Sequence, residues 1–101
     1  MRDPQILESV KATLALLVAA NPGRAIEVRI PPYAAVQCGD GPTHTRGTPP
    51  NVIEMDADTW LALANGESSW AAAMATGKIN ASGARADLSE YLPLAPNRIT
   101  P

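Results

Sequence analysis

The chain contains 101 residues, with a formal net charge of −2 and a sequence pI near 5.2. A chain of this length forms one hydrophobic core, so we expect a single domain over residues 1–101. Its eight Lys and Arg residues are scattered along an acidic chain, which argues against nucleic acid as a partner. The single cysteine excludes an internal disulfide and fits a reducing compartment, so we expect a cytoplasmic protein.

The first predicted element is an amphipathic helix that begins at Asp3-Pro4. An acidic residue before proline is typical of a helix start, and Asn21-Pro22-Gly23 breaks the chain at the other end. Between them, apolar residues recur at three- and four-residue steps, which is the spacing of one helix face. These residues are Leu7, Val10, Leu14, Leu17 and Val18.

Residues 12–20, ATLALLVAA, also resemble the core of a signal peptide followed by small residues. Acidic Asp3 and Glu8 disagree with the positively charged leader that secretion requires, which favours the helix. This nine-residue apolar segment is also far shorter than the roughly 20 residues that span a bilayer, so we expect no stable membrane insertion.

Two strands and a loop follow the first helix. Residues 25–30 alternate apolar and charged side chains, which is the pattern of a strand with one buried face. Residues 33–38 repeat the alternation more weakly and predict a second strand. Residues 39–50 contain three Gly and three Pro, which predicts a loop with a brief extended piece at 43–46.

A strand containing Ile53 and Met55 on one face is followed by two short helices. Each helix has a polar residue where a capping side chain is needed and a glycine where the helix stops. The first helix begins at Asp56 or Asp58 and ends at Gly66, and the second begins at Ser68 or Ser69 and ends at Gly77.

The last two predicted elements are a strand over residues 78–82 and a final helix. In the strand, polar side chains alternate with apolar ones. Asp87 and Glu90 form a capping-box-like start for the helix, and Pro93 limits its length.

This order of elements predicts an α+β fold. Every clear strand is apolar on one face only, a pattern that an antiparallel or mixed sheet satisfies when helices cover a single face. We therefore expect a mostly antiparallel, mixed sheet of four to five strands.

The chain resembles the bacterial sterol carrier protein orthologues, small members of the sterol carrier protein superfamily, from about Ile6 to Leu94. The segments that carry the resemblance are Val36-Gln37-Cys38, residues 44–52, Thr59 to Leu63 with Gly66, Trp70 and Gly77, and Ala81-Ser82-Gly83 with residues 85–88. The resemblance implies a curved sheet covered by helices, with an apolar groove between them that holds acyl chains or sterols. It names no ligand, and it does not imply that the ligand of this chain is a sterol.

Large side chains to line such a groove are few, because 18 residues are Ala and none is Phe. An empty cavity costs on the order of 24 cal/mol per Å³, so about 300 Å³ would cost roughly 7 kcal/mol, comparable to the stability of a domain. We therefore expect a narrow pocket between sheet and helices, with the two tryptophans as walls. Packing in the core is the alternative role for the tryptophans and the methionines. The pocket candidates are Trp60, Leu63, Trp70, Met74, Leu88 and Leu92.

Residues able to carry chemistry are sparse. Cys38 and His44 lie on either side of a glycine-rich turn, but two ligands do not complete a zinc site. We therefore predict no metal, no cofactor and no catalytic residue. His44, Arg46 and Arg85 are candidates to orient a polar headgroup, with solvent exposure or structural ion pairs as the alternative.

Two other functions stay open. The chain also resembles the C-terminal domain of mycothiol-dependent maleylpyruvate isomerase-like enzymes, which implies an accessory module that binds a protein partner. Edge strands are pairing surfaces, so a structural homodimer or larger homo-oligomer is the third hypothesis. A carrier binds apolar ligands, an accessory module binds another chain, and an oligomer changes size with concentration.

Overall fold

The computed structural model describes residues 3–41 and 51–94. These ranges contain three helices and four strands, so the fold is α+β, as the sequence predicted. In chain order the elements are α1 (Pro4–Ala20), β1 (Ile26–Ile30), β2 (Ala34–Cys38), β3 (Val52–Met55), α2 (Ala57–Ala64), α3 (Trp70–Ala75) and β4 (Ile79–Ser82).

The four strands form one sheet in the order β2-β1-β3-β4. The outer pairs are antiparallel and the central pair, β1 with β3, is parallel, which confirms the predicted mixed sheet. In β1 the three apolar side chains are buried, whereas Glu27 and Arg29 form an ion pair on the opposite face. The alternation in the sequence therefore determines which face of the sheet the helices cover.

The core lies between the apolar face of the sheet and the helices α1 and α2. The predicted start of α1 is confirmed, because the Asp3 carboxylate accepts hydrogen bonds from two backbone N–H groups of the first turn. The predicted apolar stripe then packs inward along the helix. The largest buried side chains that the two helices contribute are Val10, Leu14, Leu17, Trp60 and Leu63.

The two short helices begin and end where the sequence predicted. Asp56 is the residue that caps α2, where its Oδ1 accepts a hydrogen bond from the backbone N–H of Thr59 at 2.8 Å. Hydrogen bonds from the backbone and side chain of Thr59 lower the pKa of the Asp56 carboxyl. Ser69 is the residue that caps α3, where its Oγ accepts a hydrogen bond from the backbone N–H of Ala72 at 3.0 Å.

The prediction of a final helix from Asp87 is wrong, because residues 83–94 form turns, bends and irregular backbone. The Asp87 carboxylate accepts a hydrogen bond from the backbone N–H of Ser89 at 2.7 Å, and the Tyr91 N–H donates to the Leu88 carbonyl at 2.9 Å. Pro93 limits a helix here to fewer than two turns, so it could form few intrahelical hydrogen bonds. Burial of Leu88 determines the path of this segment instead.

The predicted loop over residues 39–50 is described as far as Gly41, and residues 39–41 form no regular element. The extended piece predicted at 43–46 lies outside the described residues. Within the described ranges, no helix is both long and apolar enough to cross a membrane.

Candidate functional site

A surface cavity of about 430 Å³ lies between α2, α3 and the segment that follows β4. Its apolar walls are Leu63 from α2, Trp70 from α3, and Leu92 with Pro93 from the C-terminal segment. Its polar rim consists of Glu67, Ser68, Ser69 and Ser89. The fold thus brings together three of the six pocket candidates, Leu63, Trp70 and Leu92.

The turn between α2 and α3 forms one side of this cavity. Gly66 has a φ of +80°, a left-handed conformation that favours glycine, and its N–H donates to the Leu63 carbonyl. The N–H groups of Glu67 and Ser68 both donate to the Ala62 carbonyl, at 2.8 and 3.2 Å. These bonds end α2 within one turn, so Trp70 at the start of α3 lies beside the end of α2.

The segment from Leu88 to Leu94 forms the other side. Leu88 and Leu94 are both buried, and the Leu94 N–H donates a hydrogen bond to the Ala64 carbonyl at 3.0 Å. Between these two anchors Leu92 is half-buried. Pro93 lies beside Gly66, where a side-chain Cβ would be in van der Waals contact with the proline ring. The cavity is therefore bounded on this side by backbone that is fixed at both ends.

Trp60, Leu88 and Met74 lie outside the lining of this cavity. Trp60 is fully buried, and its indole Nε1–H donates a hydrogen bond to Thr13 Oγ1 at 2.7 Å. Trp60 and Leu88 occupy the interior between sheet and helices, where the sequence analysis placed the pocket. Met74 is 43% exposed on α3. The cavity with Trp70 therefore lies at the end of the helical layer, and the described part of the sheet contributes no residue to it.

Arg85 lines a second, more polar cavity of about 300 Å³. Its backbone N–H donates a hydrogen bond to Oδ1 of the buried Asn51, whose Nδ2 donates to the Ala25 carbonyl, both at 2.8 Å. Its guanidinium Nη1 lies 3.4 Å from the Asp40 carbonyl oxygen, to which it donates. Gly41, beside this guanidinium, has a φ of +155°, which favours glycine at that position. Arg85 is therefore held in place by main-chain and side-chain contacts.

The charges around Arg85 do not make this cavity an anion site. Asp40, Asp87 and Glu90 line it together with Arg85, which gives three carboxylates and one guanidinium. The Arg85 guanidinium also already donates to a carbonyl oxygen. His44 and Arg46, the other headgroup candidates, lie outside the described residues. The structure therefore separates the described headgroup candidate from the apolar cavity.

Cys38 is buried in the core, and burial raises the pKa of its thiol to about 11. A thiol with this pKa stays protonated at neutral pH, and the neutral thiol is a poor nucleophile. Among residues 3–41 and 51–94, no group of three or more His, Cys, Asp or Glu side chains is arranged to hold a metal ion.

Neither the polar rim of the cavity nor Asn51 was predicted as part of a site. The run Glu67-Ser68-Ser69 between two capped helices indicates a turn, but nothing local to it indicates a cavity. Its fourth member, Ser89, comes from the segment predicted as a helix. Asn51 precedes a strand and carries no periodic signal of burial. These residues acquire their roles from contacts with parts of the chain distant in sequence.

Comparison with family models matches the chain to one family. The comparison with curated proteins found no match. The chain matches the family described as bacterial SCP ortholog over residues 2–94, a range that contains every element described above and both cavities. This family is the one that the strand, helix and glycine pattern of the sequence resembles. With nearly the whole chain matched, the protein belongs to the bacterial SCP ortholog family, which confirms the predicted resemblance to bacterial sterol carrier proteins.

Proposed function

We propose that the protein binds a small apolar or acyl-type ligand, without catalysis, in the cavity lined by Leu63, Trp70 and Leu92. The observation that carries this proposal is the cavity itself: about 430 Å³ with apolar walls from three separate elements. Membership of a sterol carrier-like family supports it, because the resemblance implies carriage of apolar molecules. The single cysteine, a buried thiol, supports a cytoplasmic location for this activity.

The fixed walls of the cavity favour binding. The turn at Gly66 and the hydrogen bond between Leu94 and Ala64 hold the walls in position without a ligand. A ligand therefore loses its own freedom on binding, while the protein has little left to order. The half-buried indole of Trp70 adds a flat apolar surface that a bound chain would remove from water.

The expected affinity is modest. Burial of one methylene contributes about 0.8 kcal/mol, so an eight-carbon chain gains about 6 kcal/mol if it is fully buried. The open mouth of the cavity and the loss of translational freedom reduce this gain, so we expect a Kd of about 0.1–1 mM for a ligand of this size. Such an affinity suits reversible pickup and release, and longer chains that cover more of the wall bind more tightly.

The test is a titration of the protein with 1-octanol, followed by NMR. The chain has two tryptophans, so two indole N–H signals report separately on Trp70 in the cavity and Trp60 in the core. The proposal expects the Trp70 signal to shift and saturate with octanol, while the Trp60 signal stays in place. Native mass spectrometry of the protein purified without added lipid then identifies any apolar molecule that is retained.

A matched pair of variants locates the binding site. Ala71 lines the cavity, whereas the neighbouring Ala72 is also exposed on α3 but lies outside the lining. Ala71→Trp places a large side chain at the cavity and should weaken octanol binding at least tenfold, and Ala72→Trp should leave it unchanged. Loss of binding in both variants, or in neither, contradicts the proposed site. Absence of octanol binding in the unsubstituted protein would favour the accessory-module or homo-oligomer hypothesis.

A further inference from the structure

The rim of the apolar cavity carries charge of one sign in the described part of the chain. Glu67 is the charged residue of its lining there, and Ser68, Ser69 and Ser89 are the other polar side chains. Ser89 also lies between two acidic residues in the sequence, Asp87 and Glu90, which face the neighbouring cavity. A headgroup at this rim therefore meets hydroxyl groups and negative charge.

From this arrangement we infer that the cavity selects apolar ligands with a neutral, hydroxyl-type headgroup and discriminates against carboxylates. A serine hydroxyl can donate a hydrogen bond to an alcohol or accept one from it, whereas an ionised carboxylate can only accept. A carboxylate at the same place is repelled by Glu67. Arg85, the described candidate for pairing with an anion, lines the other cavity beside Asp40, Asp87 and Glu90. This inference rests on the proposed function, because it assigns the chemical class of the ligand of the same site.

The test compares two probes of equal chain length, 1-octanol and octanoate, at pH 7, where octanoate is ionised. The readout is the ratio of their dissociation constants, measured by calorimetry and by the Trp70 indole signal. Any apolar site favours the alcohol to some degree, so the ratio in the unsubstituted protein is only the reference. The contribution of Glu67 is the change in this ratio when its charge is removed.

We expect Glu67→Gln to reduce the preference for octanol over octanoate about two- to fivefold at low salt, which is the effect of one exposed like charge nearby. High salt should remove most of this difference, because the screening length falls to about 3 Å at 1 M. The matched control is Glu8→Gln, which removes one exposed negative charge on α1, outside the cavity lining. We expect Glu8→Gln to leave the ratio of the two dissociation constants at the value of the unsubstituted protein.

Three outcomes overturn the inference, and they are distinguishable. If octanoate binds the unsubstituted protein as tightly as octanol, the cavity does not discriminate against carboxylates. If Glu67→Gln and Glu8→Gln change the ratio equally, the effect belongs to net charge and the rim has no special role. If neither probe binds, the proposed function fails and the inference fails with it. In the first two cases the proposed function stands, because binding is retained.

Discussion

The two tryptophans of this protein lie in two regions that differ in packing, one in a closed core and the other at an open cavity. Trp60 in α2 is fully buried, and its indole N–H donates a hydrogen bond to Thr13 at 2.7 Å. Trp70 in α3 is half-buried and lines a cavity of about 430 Å³ with Leu92. The first region is filled by side chains, whereas the second is open to solvent.

The difference comes from what packs against each helix. α2 packs against α1, a helix of 17 residues that supplies large side chains such as Leu14 and Leu17. α3 has six residues, four of them alanine, and only Ala73 among them is buried. A short alanine-rich helix has too little side-chain volume to fill the space beside it, so a cavity remains at that end of the fold.

The largest expected effect comes from truncating the two tryptophans. Trp60→Ala should lower the free energy of unfolding by about 3–5 kcal/mol, because it leaves a void in a closed core. Trp70→Ala should lower it by about 1.5 kcal/mol or less, since its side chain already borders open space. Urea denaturation of both variants measures this. Equal losses of stability would show that the two regions do not differ in packing.

The C-terminal segment offers a second pair. Leu88 is fully buried and Leu92 half-buried, four residues apart in the same run of turns. Leu88→Ala should lower the free energy of unfolding by about 2–5 kcal/mol, and Leu92→Ala by about 1.5 kcal/mol or less. Leu92→Ala should also weaken octanol binding, which calorimetry measures. If Leu92→Ala is as destabilising as Leu88→Ala, Leu92 belongs to the core rather than to the cavity wall.

The hydrogen bond of the Trp60 indole has no counterpart among the contacts described for Trp70. Removing this hydrogen bond should have an intermediate effect on the free energy of unfolding. Thr13→Val keeps the shape of the side chain but leaves the buried indole N–H without its acceptor, which costs about 1–3 kcal/mol. Thr13→Ser keeps the hydroxyl and should cost less. In a double-mutant cycle, the additional cost of Thr13→Val should largely disappear in a Trp60→Phe background. An undiminished cost there would mean that Thr13 acts through its other contacts, the carbonyls of Ser9 and Val10.

Most of the fold was predictable because local patterns and tertiary contacts agree. The alternation of Ile26, Val28 and Ile30 specifies a strand and also the face that is buried. The final helix is the exception. Asp87 and Glu90 give a local signal for a helix start, but burial of Leu88 and the short distance to Pro93 favour turns.

The cavity was predictable only in part. The sequence places Trp60 and Trp70 in similar settings, each near the start of a short, alanine-containing apolar helix, so local pattern cannot tell a core residue from a cavity wall. Thr13, which accepts the hydrogen bond from Trp60, is 47 residues away in sequence. The wall opposite Trp70 comes from Leu92 and Pro93. Long-range contacts of this kind determine which tryptophan is buried. The spacing of apolar residues along the sequence does not reveal these contacts.

The smallest expected effect concerns Asp56, whose helix α2 is shared by the filled and the open region. Asp56→Ala removes the cap of α2 and should lower the free energy of unfolding by about 1 kcal/mol, whereas Asp56→Asn should keep most of the capping energy. Because the pKa of Asp56 is lower in the folded protein than in the unfolded chain, its ionised form stabilises the fold above the unfolded pKa of 3.8. This stability is lost as the pH falls below about 4 through the folded pKa.

Urea denaturation between pH 7 and pH 2 measures the contribution of Asp56, with Asp58→Asn as a matched control on the same helix turn. The pH dependence of stability should be weaker in Asp56→Asn than in the control, since only Asp56 accepts the Thr59 N–H among the contacts described at this helix start. If octanol binding is also weaker in Asp56→Ala, the start of α2 is coupled to the cavity at its other end. If binding is unchanged, the turn at Gly66 and the anchor at Leu94 hold the open region independently of the filled one.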